Sequence, residues 1–250
     1  MTIFGDLHAR WYDRWHEAKD YPREVAQLRE ILDSHGAGRS LLDVGCGTGR
    51  HLELLAAAGF HVVGVDRSEV MADIARARLA PFPDARVVRA ELASLPFSTE
   101  FDVVTMMFSV LGYQVTDEAM TAALTSVHRV LRPGGLFLFD ILDAATVLHQ
   151  GPQGGVTVVR DDPDVLLRAT TGRVFRDEEV YEFTMRLWQL RDDKVVAHTE
   201  ESHRLRFFLR QELGMLLRSH GFTLLGHAPL AGSQPGPSRT WTRLVWARRT

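Results

Sequence analysis

From residue 40 to 142 the chain alternates short apolar runs with helix-length amphipathic stretches, and this alternation constrains the fold more than any other feature. "SLLDVG", "HVVGVD", "ARVVRAEL", "FDVVTMMF" and "GLFLFDI" read as strands. Between them lie "RHLELLAAAG", then "EVMADIARARLA", which Ser68 can cap, and a stretch from "TDE" to Val130 that "RPGG" stops. Strands alternating with helices imply a parallel sheet, because a right-handed crossover returns each strand in the same direction. "FDVVTMMF" is apolar throughout, as a strand covered on both faces should be.

The flanks follow other periods. Residues from roughly 7 to 35 read as helical: Pro22 suits a first turn, Val25, Leu28, Ile31 and Leu32 recur at helical spacing, and Gly36 and Gly38 close the segment. From about 155 to 209 no helical period survives. "GVTVV", "DVLLRATTGRVF", "EVYEFTMRLWQL" and "KVVAHTEESHRLRFF" are strand-like, and "RDDPD", "RDEE" and "RDDK" break them as hairpin turns. A helix over "RQELGMLLRSHG", a strand "FTLLGHA", a Gly/Pro loop "PLAGSQPGPS" and a strand "WTRLVWARR" end the chain. The expected organisation is a helical segment over 1–38, a core over 39–150 and 210–250, and an antiparallel sheet inserted over 151–209. The alternating "EFTMRLWQL" can bury an apolar face between subunits, so a homo-oligomer is expected.

A length of 250 residues accommodates one large domain with such an insertion. The net charge of −3 gives no general attraction to nucleic acid or anionic membrane, so neither is expected as a partner. The single cysteine, Cys46, excludes an intramolecular disulfide or a cysteine metal cluster. That usage fits a reducing cytosol, the N-terminus lacks an apolar h-region, and no apolar run could span a membrane. A cytoplasmic protein is expected, with no metal.

The stretch "LLDVGCGTGR" carries the chemistry. Its glycines, Gly45, Gly47 and Gly49, follow G-x-G-x-G. A dinucleotide fingerprint needs glycine where Arg50 stands, and a P-loop needs a Gly-Lys-Ser/Thr ending that is absent. Asp43, on the strand just before, would repel a phosphate but favours an ammonium or sulfonium. Asp66 ends the next strand about 20 residues on, where an acid can take both hydroxyls of a ribose. A ligand with a ribose, an ammonium group and no phosphate is S-adenosylmethionine. The blander reading makes Asp43 a turn cap and the glycines a tight bend, but acid, glycines, acid and strand context coincide. Cys46 sits inside the loop, where a small side chain fits.

On "LLDVGCGTG", "VVGVDRS" and "LRPGGLFLFD" the chain resembles the class I S-adenosylmethionine-dependent methyltransferases. The resemblance implies an α/β, doubly wound, Rossmann-like sheet of seven strands in the order 3-2-1-4-5-7-6, strand 7 antiparallel. It implies that Arg67 joins Asp66 at the cofactor, that Glu91 and Leu92 bracket the adenine, and that Met107 and Phe108 line the methionine part. Across nearly the whole chain, "WYDRWHEAKDYPREV", "MMFSVLGY" and "EESHRLRFFLRQELGMLLRSHGF" resemble small-molecule N-methyltransferases of antibiotic biosynthesis, namely macrolide amino-sugar N,N-dimethyltransferases and lincosamide N-methyltransferases. That likeness makes the N-terminal helix a lid whose tyrosines, Tyr12 and Tyr21, meet the sulfonium ligand. It implies a small-molecule acceptor, with the inserted sheet shaping its pocket or a subunit contact. The macrolide-sugar enzymes have a His where Tyr113 stands and an aromatic "EPWW" stretch where this chain has "DILDAATV", so the reaction transfers and the particular acceptor does not.

Methyl transfer needs alignment more than acid–base help, since the cofactor brings its own leaving group. A neutral amine needs little base, whereas an alcohol needs one. The catalytic candidates are Tyr21 and Tyr113 as orienting donors and His203 on the inserted sheet. No His or carboxylate base stands beside "FSVLGY", which favours nitrogen. The alternatives are an O-methyltransferase of a sugar or natural-product hydroxyl and, more distantly, a non-catalytic S-adenosylmethionine-binding module. His128 reads as structural; Phe4, Trp11 and Trp15 read equally as a lid stripe or a packed helix face.

Overall fold

The computed structural model describes residues 4–98, 101–231 and 241–250. The apolar runs become five parallel strands: β1 (Ser40–Val44), β2 (His61–Asp66), β3 (Arg86–Arg89), β4 (Phe101–Met106) and β5 (Leu131–Asp143). The crossovers carry α3 (Arg50–Ala57), α4 (Glu69–Leu79) and α5 (Asp117–Val130), with a 3-10 turn over Leu92–Ser94 between β3 and β4. Two helices precede β1: α1 (Asp6–Trp15) and α2 (Tyr21–Ser34). Between β5 and the end lie α6 (Ala144–Gln150), β6 (Gly155–Asp161), β7 (Asp164–Phe175), β8 (Val180–Arg191), β9 (Lys194–Phe208), α7 (Arg210–Ser219), β10 (Phe222–Pro229) and β11 (Thr242–Arg249).

The parallel strands follow the order β3-β2-β1-β4-β5, and β11 adds antiparallel to β5 with β10 beyond it. This is the seven-strand order the resemblance implies. Successive residues of a strand face opposite sides, and both sides are covered. Leu42, Val104, Phe137 and Phe139 pack with Met120, Leu124 and Val127 of α5 and Leu213 and Leu217 of α7. Leu41, Val103, Leu136 and Leu138 pack with Leu28 of α2, Leu52 and Leu55 of α3 and Leu79 of α4. Replacing Phe137 or Phe139 by Ala would cost about 3–5 kcal/mol.

The inserted strands form an antiparallel meander, β6-β7-β8-β9. Its junction with the core is short: β4 ends opposite Phe139, which frees the edge of β5 for Leu142 and Asp143 to pair with Phe207 and Phe208 of β9. The meander therefore rises at the C-terminal end of the parallel strands, the end where open α/β sheets bind ligands.

The single N-terminal helix expected over 7–35 is two helices. Asp20 accepts from the Arg23 amide at 3.0 Å and caps a new helix that Pro22 opens, while His16 closes the first. Helix α6 is a further element the sequence reading left unassigned. Most of the Gly/Pro loop read at 229–238 lies outside the described residues.

Candidate active site

The first cavity, about 350 Å³, opens at the C-terminal end of β1 and β2. Gly45 and Cys46 both donate their amides to the Val65 carbonyl, at 2.7 and 3.0 Å. The turn needs φ of +75° at Gly45 and +54° at Gly47, a region that costs other residues about 1–2 kcal/mol. A Cβ on Gly45 would lie 2.6 Å from Val110 Cγ2, whereas one on Gly47 would meet nothing within 4 Å. Packing therefore requires glycine at 45, and backbone conformation requires it at 47.

Two carboxylates flank this turn, Asp43 buried and Asp66 half-buried. Asp43 accepts from Thr105 Oγ1 at 2.8 Å, and Asp66 accepts from the amides of Gly47 and Ser68 at 2.9 and 2.8 Å. Burial raises both carboxyls above the ordinary aspartate value, at Asp66 against the pull of its two amides. Groups in this state gain from a ligand that brings hydroxyl donors or positive charge. The donor set thus fits S-adenosylmethionine, with Asp66 for the ribose hydroxyls, Asp43 for the cationic end, and Val65, Met71, Ala90 and Leu92 as apolar wall.

A second cavity, about 310 Å³, shares Phe4, Tyr12, Phe108 and Tyr113 with the first. The meander supplies Arg168, Phe183, Met185, His203 and Leu205 to its wall, and α1 supplies His8 and its C-cap His16. Burial holds His16 down at about 4, so its ring is neutral near pH 7. Asp140, at 1 % exposure, lines the same space. Its Oδ2 accepts from Ser109 N at 3.0 Å and Ser109 Oγ at 2.9 Å, which secures Phe108 and Ser109 at φ of 67° and 54°. Its Oδ1 has no hydrogen-bond partner among the described residues, and burial raises this carboxyl too.

Glu201 is fully buried beside that wall. Its Oε2 accepts from Phe4 N at 3.0 Å and meets His8 Nδ1 at 2.8 Å and His203 Nε2 at 3.3 Å; its Oε1 accepts from Gly5 N at 2.9 Å. Burial alone would raise this carboxyl, but the bonds from His203 and His8 and the Gly5 amide outweigh it and hold Glu201 well below the usual range. On the other side of the His203 ring, Nδ1 lies 2.8 Å from Tyr113 Oη, and Phe183 stacks on the ring at 4.6 Å.

Of the residues expected at the cofactor, Tyr12, Gly45, Gly47, Asp66, Arg67, Glu91 and Leu92 line the first cavity. Tyr21, Asp43, Cys46 and Met107 line a small adjoining space of about 30 Å³. Gly49 lines none of these; it starts α3, and its would-be Cβ lies 3.1 Å from Ala75. Burial raises the Cys46 thiol well above its ordinary value, so it is no nucleophile at neutral pH. Tyr113 and His203 meet, while Tyr21 shares none of the three cavities with either.

The expectation that no base stands beside "FSVLGY" is wrong. His203 and Asp140 both reach that segment, brought there by β9 and β5 across long sequence separations. The nitrogen reading loses that support. Sequence reasoning also missed His8, Asp13, Asp140 and Glu201. Asp13 accepts from Thr48 Oγ1 at 2.7 Å and pairs with Arg50 and Arg78, pinning α1 onto the glycine turn. Asp140 did leave a signal: an acid closing an apolar strand, as Asp43 does in "SLLDVG". The aromatic stripe divides, with Phe4 in the cavities and Trp15 packed on Leu166, Met185 and Leu187. His128 packs on Phe222 and lines none of these cavities.

A family model described as a methyltransferase domain matches residues 41–135. Over 230 residues the chain is 30% identical to the dTDP-3-amino-3,6-dideoxy-alpha-D-glucopyranose N,N-dimethyltransferase of Streptomyces fradiae, covering 86% of this chain and 84% of that one. The chain belongs to the class I S-adenosylmethionine-dependent methyltransferases. This methyltransferase is also 34% identical over 172 residues to a ubiquinone biosynthesis O-methyltransferase of Aromatoleum aromaticum, covering 62% of this chain and 71% of that one. Its fold matches the sugar N-methyltransferase KedS8 from a Streptoalloteichus species, with a TM-score of 0.80 at 22% identity and coverage of 100% and 97%. The enzyme uses S-adenosylmethionine. No helix among the described residues is long and apolar enough to cross a membrane.

Proposed function

We propose that this methyltransferase transfers the methyl group of S-adenosylmethionine to an amine nitrogen of a small amino-sugar metabolite. One observation carries the nitrogen: the acceptor cavity combines the unpartnered, buried Asp140 Oδ1 with the rings of Phe4, Tyr12, Phe108 and Tyr113. Bound S-adenosylmethionine supplies an electrophilic methyl on a positively charged sulfur. Methylation of an amine keeps that charge in the site, moved onto nitrogen, and carboxylate plus aromatic faces favour a cation throughout. The sugar-methylating relative supports the same acceptor class.

In this reading Asp66 holds the ribose, Asp43 and Tyr21 border the cationic end, Glu91 and Leu92 bracket the adenine, and Met107 lies by the methionine chain. Tyr113 orients the acceptor nitrogen, and Tyr12 and Phe108 separate it from water. Excluding water and aligning acceptor with methyl can supply on the order of 7–11 kcal/mol of the barrier. A cytoplasmic location belongs to the same proposal, as does a homo-oligomer formed through the meander.

The second reading is O-methylation, favoured by His203, a base within reach of the cavity through Tyr113. Incubating the full chain with S-adenosylmethionine and amino sugars, each beside its hydroxyl analogue, separates the two by mass spectrometry. Methyl addition confined to the amines is expected. Addition confined to the hydroxyls overturns the proposal.

A further inference from the structure

We infer that Tyr113, His203 and Glu201 form a proton-accepting relay that takes up the proton released by the acceptor nitrogen. The inference rests on the amine reading above and adds to it the fate of the proton.

The hydrogen-bond order fixes the direction of the relay. Glu201 accepts two backbone amides and is held ionised, so it can only accept, and the His203 nitrogen facing it, Nε2, must carry a hydrogen. In the neutral ring Nδ1 then has a lone pair, and the tyrosine 2.8 Å away donates its hydroxyl hydrogen to it. This leaves the Tyr113 oxygen as an acceptor on a side chain that lines both the cofactor and the acceptor cavities. A reacting hydroxyl, an imidazole and an orienting carboxylate in line is the arrangement by which a weak base is made competent.

A metal reading of His8, Glu201 and His203 fails on distance. Their ligating atoms lie within 4.8 Å of one another, but His8 Nδ1 is 2.8 Å from Glu201 Oε2, a hydrogen bond. Two tetrahedral ligands of zinc, each about 2.0–2.1 Å from the ion, would stand roughly 3.3 Å apart. Both oxygens of Glu201 also already accept backbone amides.

As the acceptor nitrogen forms its bond to the methyl carbon, the carbon–sulfur bond breaks and its electron pair stays on sulfur, leaving a thioether. The nitrogen, now an ammonium, gives a proton to Tyr113 Oη, and the tyrosine's own proton moves to His203 Nδ1. The product is a neutral methylated amine and an imidazolium beside the Glu201 carboxylate. The relay resets by the reverse path, through Tyr113 to water, when products leave. Burial raises the Tyr113 phenol, so the phenolate is no resting state and the proton passes through the hydroxyl.

Several titratable groups surround this relay. His8 faces the His203 ring from α1 at 6.2 Å, Arg67 acts on Tyr113 by its charge, Tyr12 interacts with Tyr113, and His16, Lys19, Asp140 and Arg168 line the same cavity; the close rings Phe4 and Phe183 are uncharged. Glu201 also holds the amides of Phe4 and Gly5, so the relay is complete only with the N-terminal segment seated. Glu201 is therefore a positioning residue, and Tyr113 the group that touches the acceptor.

Two measurements test the relay. In ¹⁵N-histidine spectra of the full chain without acceptor, His203 should show the Nε2–H tautomer near neutral pH and should change with Tyr113→Phe. An Nδ1–H tautomer overturns the relay. With S-adenosylmethionine and dTDP-3-amino-3,6-dideoxyglucose as the probe, His203→Asn should lower kcat about 100-fold and leave KM within about threefold. Glu201→Gln should lower kcat roughly tenfold on the same logic. Unchanged S-adenosylmethionine affinity by calorimetry certifies the fold of each variant. A His203→Asn enzyme with wild-type kcat overturns the relay. If only hydroxyl acceptors turn over, the amine reading falls, and the same comparison on those acceptors decides the relay.

Discussion

Asp66, half-buried, and Glu201, fully buried, are both carboxylates that accept two backbone amides, yet their surroundings move them in opposite directions. Asp66 sits on the cofactor side, with partners close in sequence, and burial leaves its carboxyl raised. Glu201 sits under the N-terminal segment, with Phe4, Gly5 and His8 nearly the length of the chain away and His203 two residues on, and these contacts hold it low. The first group is short of partners and gains from a ligand that brings donors. The second is saturated without a ligand, so it organises the site instead of binding.

The largest expected effect breaks the first half of that contrast. Asp66→Ala removes the acceptor for the Gly47 amide and the proposed acceptor for the ribose hydroxyls. Hydrogen bonds to a charged group contribute about 1.5–3 kcal/mol each, so S-adenosylmethionine affinity should fall on the order of 100-fold or more in calorimetry. A loss below about tenfold would mean that Asp66 only shapes the turn.

Glu201→Ala comes next. It strands two amides and two imidazoles, at a cost of about 3 kcal/mol, and should expose the amides of α1 to hydrogen exchange while the parallel strands stay protected. Acid sharpens the same contrast. Glu201 is depressed in the folded state, so its contribution is present above its unfolded value near 4.5 and is lost as pH falls from there through its low folded value. Asp66 is raised, so it protonates at higher pH than an ordinary aspartate, and protonation removes what the ligand binds. Lowering the pH should weaken S-adenosylmethionine first and loosen α1 only later. The reverse order would contradict the contrast.

Gly45→Ala and Gly47→Ala separate packing from conformation within one turn. Both incur the left-handed penalty of about 1–2 kcal/mol, but only Gly45 also meets Val110, so its variant should be less stable by about 1–3 kcal/mol more in denaturant unfolding. Equal losses would mean that Val110 moves aside.

The cofactor half was legible because its chemistry is written locally. A strand end, three glycines and an acid after the next strand specify the turn and the ligand, since sheet pairing brings Gly47 and Asp66 together within one β-α-β unit. The acceptor half was not. Tyr113 meets His203 only because β9 enters the free edge of β5, and Asp13 reaches Thr48 only because α1 folds back over the turn. Nothing in the spacing of "ESH" or "WYD" states those pairings. The break between α1 and α2 was readable in hindsight from Asp20 and Pro22, whose capping signal the continuous helical period concealed.

The smallest expected effect lies on the exposed side of the meander. Arg186 pairs with Glu200 across β8 and β9, in the row that continues through Ala169 to the exposed Val156 on β6. Side chains of one such row share a face of the sheet, so this ion pair borders an apolar surface that also carries Val158. On an open surface an exposed pair contributes about 0.2–1 kcal/mol, and Arg186→Ala should lower stability by less than about 0.5 kcal/mol, independent of protein concentration. If the meander instead joins subunits, the pair is desolvated and its guanidinium helps cover the valines of the partner face. The same substitution would then cost several-fold more and make the melting temperature depend on concentration. One series of melts at two protein concentrations therefore decides whether this face is solvent or interface.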